Sequence, residues 1–272
     1  MNRTTKLHPD MPEVCRLGLA TRGNSRLSRE DVHEAIEREI NYLNWCGQPD
    51  GLSGAVSELG NRRDRVAVAV QLHARDGAGM RSQVDEALRE LNTDRIDVVT
   101  LYYVESQEEW EGMQGDGGAV EALAELKRQG VVRMVGLTSH QRKLAAGWAE
   151  TGDLDLLMLR YNAAHRGAET EVFPVTEERD IKFVAYTCLR WGALMEKTEA
   201  DPPGFDPPPA KEWYRYVLAQ PRVAVALMAP RVRAELDHDL ELLDDWRGPT
   251  DAEREALEAH GERVHAHAGA FW

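Results

Sequence analysis

Ile40-Asn41-Tyr42-Leu43-Asn44-Trp45-Cys46-Gly47 and, one helical stretch later, Arg65-Val66-Ala67-Val68-Ala69-Val70-Gln71 are short β-rich runs that stop on polar residues or glycine. Working outward, the same unit repeats in both directions. Strands are predicted over Arg16 to Thr21, Asn41 to Trp45, Val66 to Gln71, Asp97 to Tyr102, Val132 to Leu137, Leu156 to Tyr161, Ile181 to Tyr186 and Val223 to Met228, each followed by helical spacing. Strands that alternate with helices from end to end specify a parallel sheet with crossover helices. Eight pairs specify closure, so the expected fold is α/β, a (β/α)8 TIM barrel. The 272 residues suit one such domain over 1–272, with the barrel at about 16–243 and an extra C-terminal helix at about 250–268.

Helix starts are marked locally. Ser28-Arg29-Glu30-Asp31 and Ser82-Gln83-Val84-Asp85 both resemble capping boxes with aspartate in place of glutamate. Two connections, Glu105 to Gly118 and Leu189 to Pro209, exceed the usual loop length and follow strand ends, which makes them candidate functional loops on the upper face. The second carries Pro202, Pro203, Pro207, Pro208 and Pro209, which oppose helix and suggest a stiff flap.

A net charge of −14 argues against nucleic acid or an anionic membrane surface as partner, since both need a basic footprint. No long apolar run and no basic-then-apolar leader is present, so a cytoplasmic protein with a small-molecule ligand is expected. Cys15, Cys46 and Cys188 are widely spaced, as reduced thiols are, and form no C-x-x-C pair.

Several segments resemble the aldo-keto reductases from about Arg16 to Leu243. Gly130-Val131-Val132-Arg133-Met134-Val135-Gly136-Leu137-Thr138-Ser139 is similar to that family's G-K-V-R-x-I-G-V-S-N strand. Leu159-Arg160-Tyr161-Asn162 with Arg166-Gly167-Ala168-Glu169 is similar to its E-Y-N-L-L-x-R-x-x-E segment, and Val184-Ala185-Tyr186-Thr187-Cys188-Leu189 to its A-Y-S-P-L strand. The resemblance implies a superfamily rather than an activity.

It also implies where the four catalytic groups would stand. The aspartate maps to Asn44, the tyrosine to Pro49, the lysine to Gln71 and the histidine to Tyr102; no lysine occurs between Lys6 and Lys127. In such reductases the tyrosine protonates a carbonyl while NADPH gives hydride, which requires an acidic donor within hydrogen-bond reach. An unassisted phenol such as Tyr102, with a reference pKa near 10, is a weak acid. The cofactor positions implied by the resemblance are Thr138, Ser139 and Tyr186, with Met158 where a glutamine is usual, Pro230 for a serine and Glu235 for the arginine that meets the 2′-phosphate. A carboxylate there repels phosphate, so NADP is disfavoured and NAD stays open, with Arg231 and Arg233 as candidate phosphate contacts near a helix start.

Asn44, Trp45, Gln71, Arg160 and Arg190 are the candidate substrate contacts, the two arginines as a clamp for carboxylate or phosphate. Strand alternation lets only one of Tyr102 and Tyr103 face the lumen, and the resemblance selects Tyr102. His73, Glu105 and His140 carry ligand-type groups without a metal signature, and no metal is expected. Cys46 is read as an inert buried thiol rather than a nucleophile. His238, His260, His265 and His267 are expected at the surface of outer helices. The leading functional expectation is a small-molecule pocket repurposed for non-redox proton transfer, with Tyr102, Asp50 and Glu105 as donor or base. Two alternatives stand beside it: an NAD(P)-dependent oxidoreductase using Tyr102 as acid, and a non-catalytic binding or regulatory barrel.

Overall fold

An antiparallel hairpin, β1 (Thr4–Lys6) with β2 (Glu13–Cys15), opens the chain. Eight strands follow: β3 (Leu17–Ala20), β4 (Tyr42–Trp45), β5 (Ala67–Leu72), β6 (Ile96–Leu101), β7 (Val132–Thr138), β8 (Leu156–Arg160), β9 (Lys182–Tyr186) and β10 (Val223–Met228). They pair in parallel in the order β10-β3-β4-β5-β6-β7-β8-β9 and close on themselves, the eight-stranded barrel expected from the strand-helix alternation. This computed structural model describes residues 1–22 and 25–267.

Alternation along each strand separates two apolar layers. Tyr42, Ala67, Ala69, Val98, Met134, Leu156, Met158, Val184, Val225 and Leu227 fill the barrel, and Leu7, Met11 and Val14 join them from the hairpin side. The hairpin therefore plugs the end at which the strands begin. Tyr42 takes its space beside Gly18, where a Cβ would lie 2.9 Å from Val225 and 3.0 Å from the Tyr42 ring; only glycine leaves room. The intervening residues, among them Leu43, Val68, Val70, Val99 and Leu137, face outward against the helices.

The capping box at Ser28 forms as expected: its side chain accepts the Asp31 N–H while Asp31 accepts the Ser28 N–H. The one expected at Ser82 does not. That helix, Gly77–Glu90, starts earlier, capped by Asp76 on the Gly79 N–H, and Ser82 donates within it to Glu86. Gly77 explains the earlier start, since a Cβ there would meet the Gly117 carbonyl at 2.9 Å and the chain can turn into helix against that backbone only without one. Of the two long connections, residues 105–118 contain a helix, Gln107–Gln114, capped by Ser106, and residues 189–209 begin with a 3-10 turn, Arg190–Met195.

The expected C-terminal helix is present as Asp251–His267; residue 268, where it was expected to end, lies outside the described residues. It packs through Leu257, His260, Gly261 and Val264. His260 is thus fully buried, which corrects its expected surface position, whereas His238, His265 and His267 are exposed. Among the described residues no helix is long and apolar enough to cross a membrane.

Asp239, in the helix Arg233–Leu240, is 4% exposed and accepts the Tyr214 hydroxyl at 3.3 Å. Burial pushes its carboxyl up to about 7. The folded value lies above the unfolded one, so the native state binds the extra proton between about pH 4 and about pH 7 and loses stability as pH rises through that window. Asp239→Asn keeps an acceptor for Tyr214 and removes the charge. Its Tm is expected to exceed that of the parent above neutrality, with the gap closing towards about pH 4; a gap independent of pH would exclude this linkage.

Candidate active site at the barrel mouth

The inward-facing series that fills the barrel continues upward to polar residues. Asn44 follows Tyr42 on β4, Gln71 follows Ala69 on β5, Thr138 ends β7, Arg160 follows Met158 on β8 and Tyr186 follows Val184 on β9. Tyr102 stands just past β6 in the same series. Period-2 alternation thus brings Asn44, Gln71, Tyr102, Thr138, Arg160 and Tyr186 to one mouth. Trp45, expected among them, faces outward instead: it is 2% exposed in the layer beneath the helices, and its indole N–H donates to the Gln48 carbonyl at 2.7 Å. Pro49 is exposed in the following turn.

Four side chains form a continuous aromatic row across the mouth. The His73 and Tyr102 rings are 4.3 Å apart, Tyr102 and Tyr103 are 4.3 Å apart edge to face, and Tyr103 stacks on His140 at 4.3 Å. Tyr103 also meets Tyr186 edge to face at 6.4 Å, and the Tyr186 hydroxyl lies 3.5 Å from the Ser139 carbonyl oxygen. Tyr103 was expected to point away. It does not, because β6 ends at Leu101 and Tyr103 takes a left-handed φ of 44°, so alternation no longer governs it. Arg75 holds this unusual backbone: its guanidinium donates to the carbonyls of Tyr102 at 2.7 Å and Tyr103 at 3.1 Å while pairing with Glu109. Ser106, as N-cap, puts Glu109 in the first helical turn where it can do so.

Burial raises the Tyr102 phenol above its ordinary value, and Tyr103 and Cys46 add to the effect. Burial likewise raises Tyr103, against the neighbouring Tyr186 hydroxyl and the charge of Arg160, and raises Tyr186 well above the usual range. Arg160 and Arg190 are 9% and 5% exposed. Between them His165 is pushed down to about 3, first by burial and then by Arg160 and Arg190. Its neutral ring accepts the Arg190 Nε–H at 3.1 Å. Of the two arginines expected to clamp an anion, Arg190 thus meets the His165 imidazole directly, and the charge of Arg160 reaches His165, Tyr103 and Tyr186.

Other expected residues are engaged elsewhere. Glu105 binds the His140 backbone N–H at 2.9 Å and its Nδ1 at 3.2 Å, while His73 lies against Tyr102; among the described residues no three histidine, cysteine or carboxylate groups gather as metal ligands. Asp50 caps the helix Gly51–Ser57, accepting the Ser53 N–H at 2.9 Å. Cys46 is half-buried rather than buried, and burial raises its thiol, with Asp50 adding to the rise, so thiolate is disfavoured. The Thr138 hydroxyl accepts the Tyr103 N–H at 2.7 Å, and the Ser139 hydroxyl accepts the Gln141 N–H at 2.9 Å. Arg231 pairs with Glu235, and Arg233 with Asp31, Glu34 and Asp237. By contrast the Thr21 hydroxyl and the Asn44 Oδ1 are buried at the ends of adjacent strands without a hydrogen-bond partner.

Residues 17–214 match the family model described as the aldo/keto reductase family. An uncharacterized oxidoreductase, YqkF, of Bacillus subtilis (strain 168) is 28% identical over 198 residues, 66% of this chain and 61% of that protein. A D-threo-aldose 1-dehydrogenase of a Pseudomonas species is 30% identical over 120 residues, 43% of this chain and 36% of that protein. The matched parts therefore span 61% and 36% of these curated relatives. Among solved structures, an aldo-keto reductase from Bacillus halodurans in its holo form superposes with a TM-score of 0.77 at 20% identity, covering 96% of each chain. One from Klebsiella pneumoniae in complex with NADPH gives 0.76 at 18% identity, again over 96% of each chain. At such identities these two likenesses bear on the fold alone.

Proposed function

The chain belongs to the aldo/keto reductase family, and from that premise we propose that it is a pyridine-nucleotide-dependent oxidoreductase acting on a small carbonyl compound, with Tyr102 as proton donor. The observation that carries this reading is the placement of Tyr102 in the lumen-facing series, half-buried between His73 and Tyr103. The curated relatives bear the names of an oxidoreductase and a dehydrogenase, which favours redox chemistry over the non-redox repurposing expected from the replaced residues.

The residues present fit NAD better than NADP. The buried, unpartnered Asn44 carbonyl oxygen and Thr21 hydroxyl suit the hydroxyl groups of a polar ligand, and Tyr186 offers a half-buried aromatic face. At the other end Arg231 and Arg233 already face four carboxylates, and Glu235 would repel a 2′-phosphate. When bound, the nicotinamide would supply the hydride. Tyr102 would hold the proton, since its raised value keeps the phenol protonated through neutral pH. Asn44 and Gln71 would contribute neutral hydrogen bonds where the family resemblance places a carboxylate and a lysine. Catalysis by a phenol without an adjacent ammonium is therefore expected to be slow. Arg160 and Arg190 would orient an anionic group of the substrate, and Glu105 and Asp50, engaged with His140 and Ser53, would serve the scaffold.

The four replaced positions Asn44, Pro49, Gln71 and Tyr102 favour a second reading, proton transfer without redox or ligand binding alone at the same mouth. NADH consumption with a panel of aldehydes and ketones decides between them. The expected result is slow, saturable turnover with NADH preferred to NADPH, and a preference shifted towards NADPH in Glu235→Arg. No turnover with either nucleotide would leave the second reading.

A further inference from the structure

The C-terminal helix carries a buried polar cluster that the mouth does not use. The His260 imidazole is 0% exposed; its Nδ1 lies 2.9 Å from Asp201 Oδ1 and its Nε2 lies 3.2 Å from the Leu194 carbonyl oxygen. Asp201, whose side chain is 4% exposed, also accepts the Arg263 Nε–H at 2.6 Å and the Thr198 N–H at 2.6 Å. The Phe205 and Trp213 rings lie 4.9 Å and 5.7 Å from the imidazole, and the Arg263 guanidinium sits over Phe205 at 5.2 Å. One histidine thus ties the helix Asp251–His267 to both ends of the segment 194–205. Beside it, a Cβ on Gly261 would fall 2.5 Å from the Ala163 carbonyl, so the helix backbone presses directly on the loop that follows β8.

The tied segment begins with the turn that carries Arg190. Arg190, Trp191 and Gly192 all have left-handed φ values, 48°, 56° and 96°, a conformation that two of these residue types disfavour. Such a turn persists only if its surroundings hold it. Leu194, fully buried and hydrogen-bonded to His260, closes it from the far side. We propose that His260 and Asp201 are positioning residues: through Leu194 they fix the Arg190–Met195 turn, and with it Arg190, over the barrel mouth. The C-terminal helix thereby sets part of the substrate-facing surface. What Arg190 does there rests on the reading of the mouth as a reductase site; the anchoring does not.

Amide hydrogen exchange on the full chain tests the anchoring without any substrate. His260→Leu fills the same apolar surroundings and leaves the Leu194 carbonyl and Asp201 without their partner, so exchange over 190–201 is expected to rise on the order of tenfold while the barrel strands change little. Asp201→Asn keeps the shape, and the same selective opening, smaller in size, is expected there should the leucine variant not fold. His260→Gln offers one amide nitrogen in place of two ring nitrogens, so it can donate to Asp201 or to the Leu194 carbonyl, and exchange between that of the parent and that of His260→Leu is expected. In turnover assays KM for the carbonyl compound is expected to rise in step with exchange at little-changed kcat. Equal loosening of turn and barrel, or no loosening at all, would overturn the proposal. Absence of turnover in the parent protein would count against the reductase reading alone, because exchange is measured without it.

Discussion

Tyr102→Phe is expected to lower NADH-dependent carbonyl reduction by about a hundredfold or more with little change in KM, since general-acid transfer contributes roughly 10²–10⁴ in rate. The substitution leaves the ring in contact with His73 and Tyr103 and removes only the proton donor. The pH dependence follows from the raised phenol. Reduction needs the protonated form, so its rate should be flat from about pH 6 to about pH 9 and fall only beyond the ordinary tyrosine range. Alcohol oxidation needs the phenolate and should rise with pH over the alkaline range. Retained activity in Tyr102→Phe with loss in Tyr103→Phe would move the acid to Tyr103; unchanged rates in both would remove phenol chemistry from the mouth.

That experiment bears on a site whose positions were more legible in the sequence than its contacts. Asn44, Gln71, Thr138, Arg160 and Tyr186 were placed at strand ends, and period-2 alternation then set them facing the lumen. The same rule misplaced Tyr103, because it holds only while the strand lasts. The signal was local: Glu105-Ser106-Gln107 begins two residues after Tyr103, and Arg75 reaches the carbonyls of both tyrosines. Trp45 failed for the converse reason, since β4 still runs through it and odd positions face the helices.

Barrel-strand positions agree to within a residue at every end because apolar runs bounded by polar ones leave little choice of register. Buried polar residues were harder. Its residue type suggests a surface position for His260, yet Leu257, His260, Gly261 and Val264 keep the spacing of one helical face. The pattern was available; what the sequence did not contain was the partner, since Asp201 lies in an irregular segment that helical or strand periodicity cannot place. Likewise Ser82 has the composition of a cap, but the helix begins where backbone from residue 117 packs against Gly77, a contact distant in sequence.

The largest expected effect on stability is at the other end of the barrel, where Asp97 is fully buried on the outward face of β6. Its Oδ2 accepts the Val68 N–H at 2.8 Å and lies 2.8 Å from the Arg63 guanidinium; its Oδ1 accepts from Arg133 at 2.7 Å. Arg63 is 7% exposed, and its other N–H groups donate to the Val66 and Arg95 carbonyls and to the Thr93 hydroxyl. One carboxylate therefore joins β5, β6, β7 and the turn before β5. Asp97→Ala strands a buried guanidinium and a buried backbone N–H at once, which costs about 3–5 kcal/mol by analogy with other broken buried pairs. For a chain of this size that corresponds to a Tm lower by roughly 10 °C. Asp94→Ala, in the turn just before β6 and exposed on its side chain, serves as the control, because surface pairs contribute little. Denaturation of both variants beside the parent reads the difference. A shift in Asp97→Ala no larger than in Asp94→Ala would mean that water replaces the carboxylate and that the buried Arg63 does not depend on it.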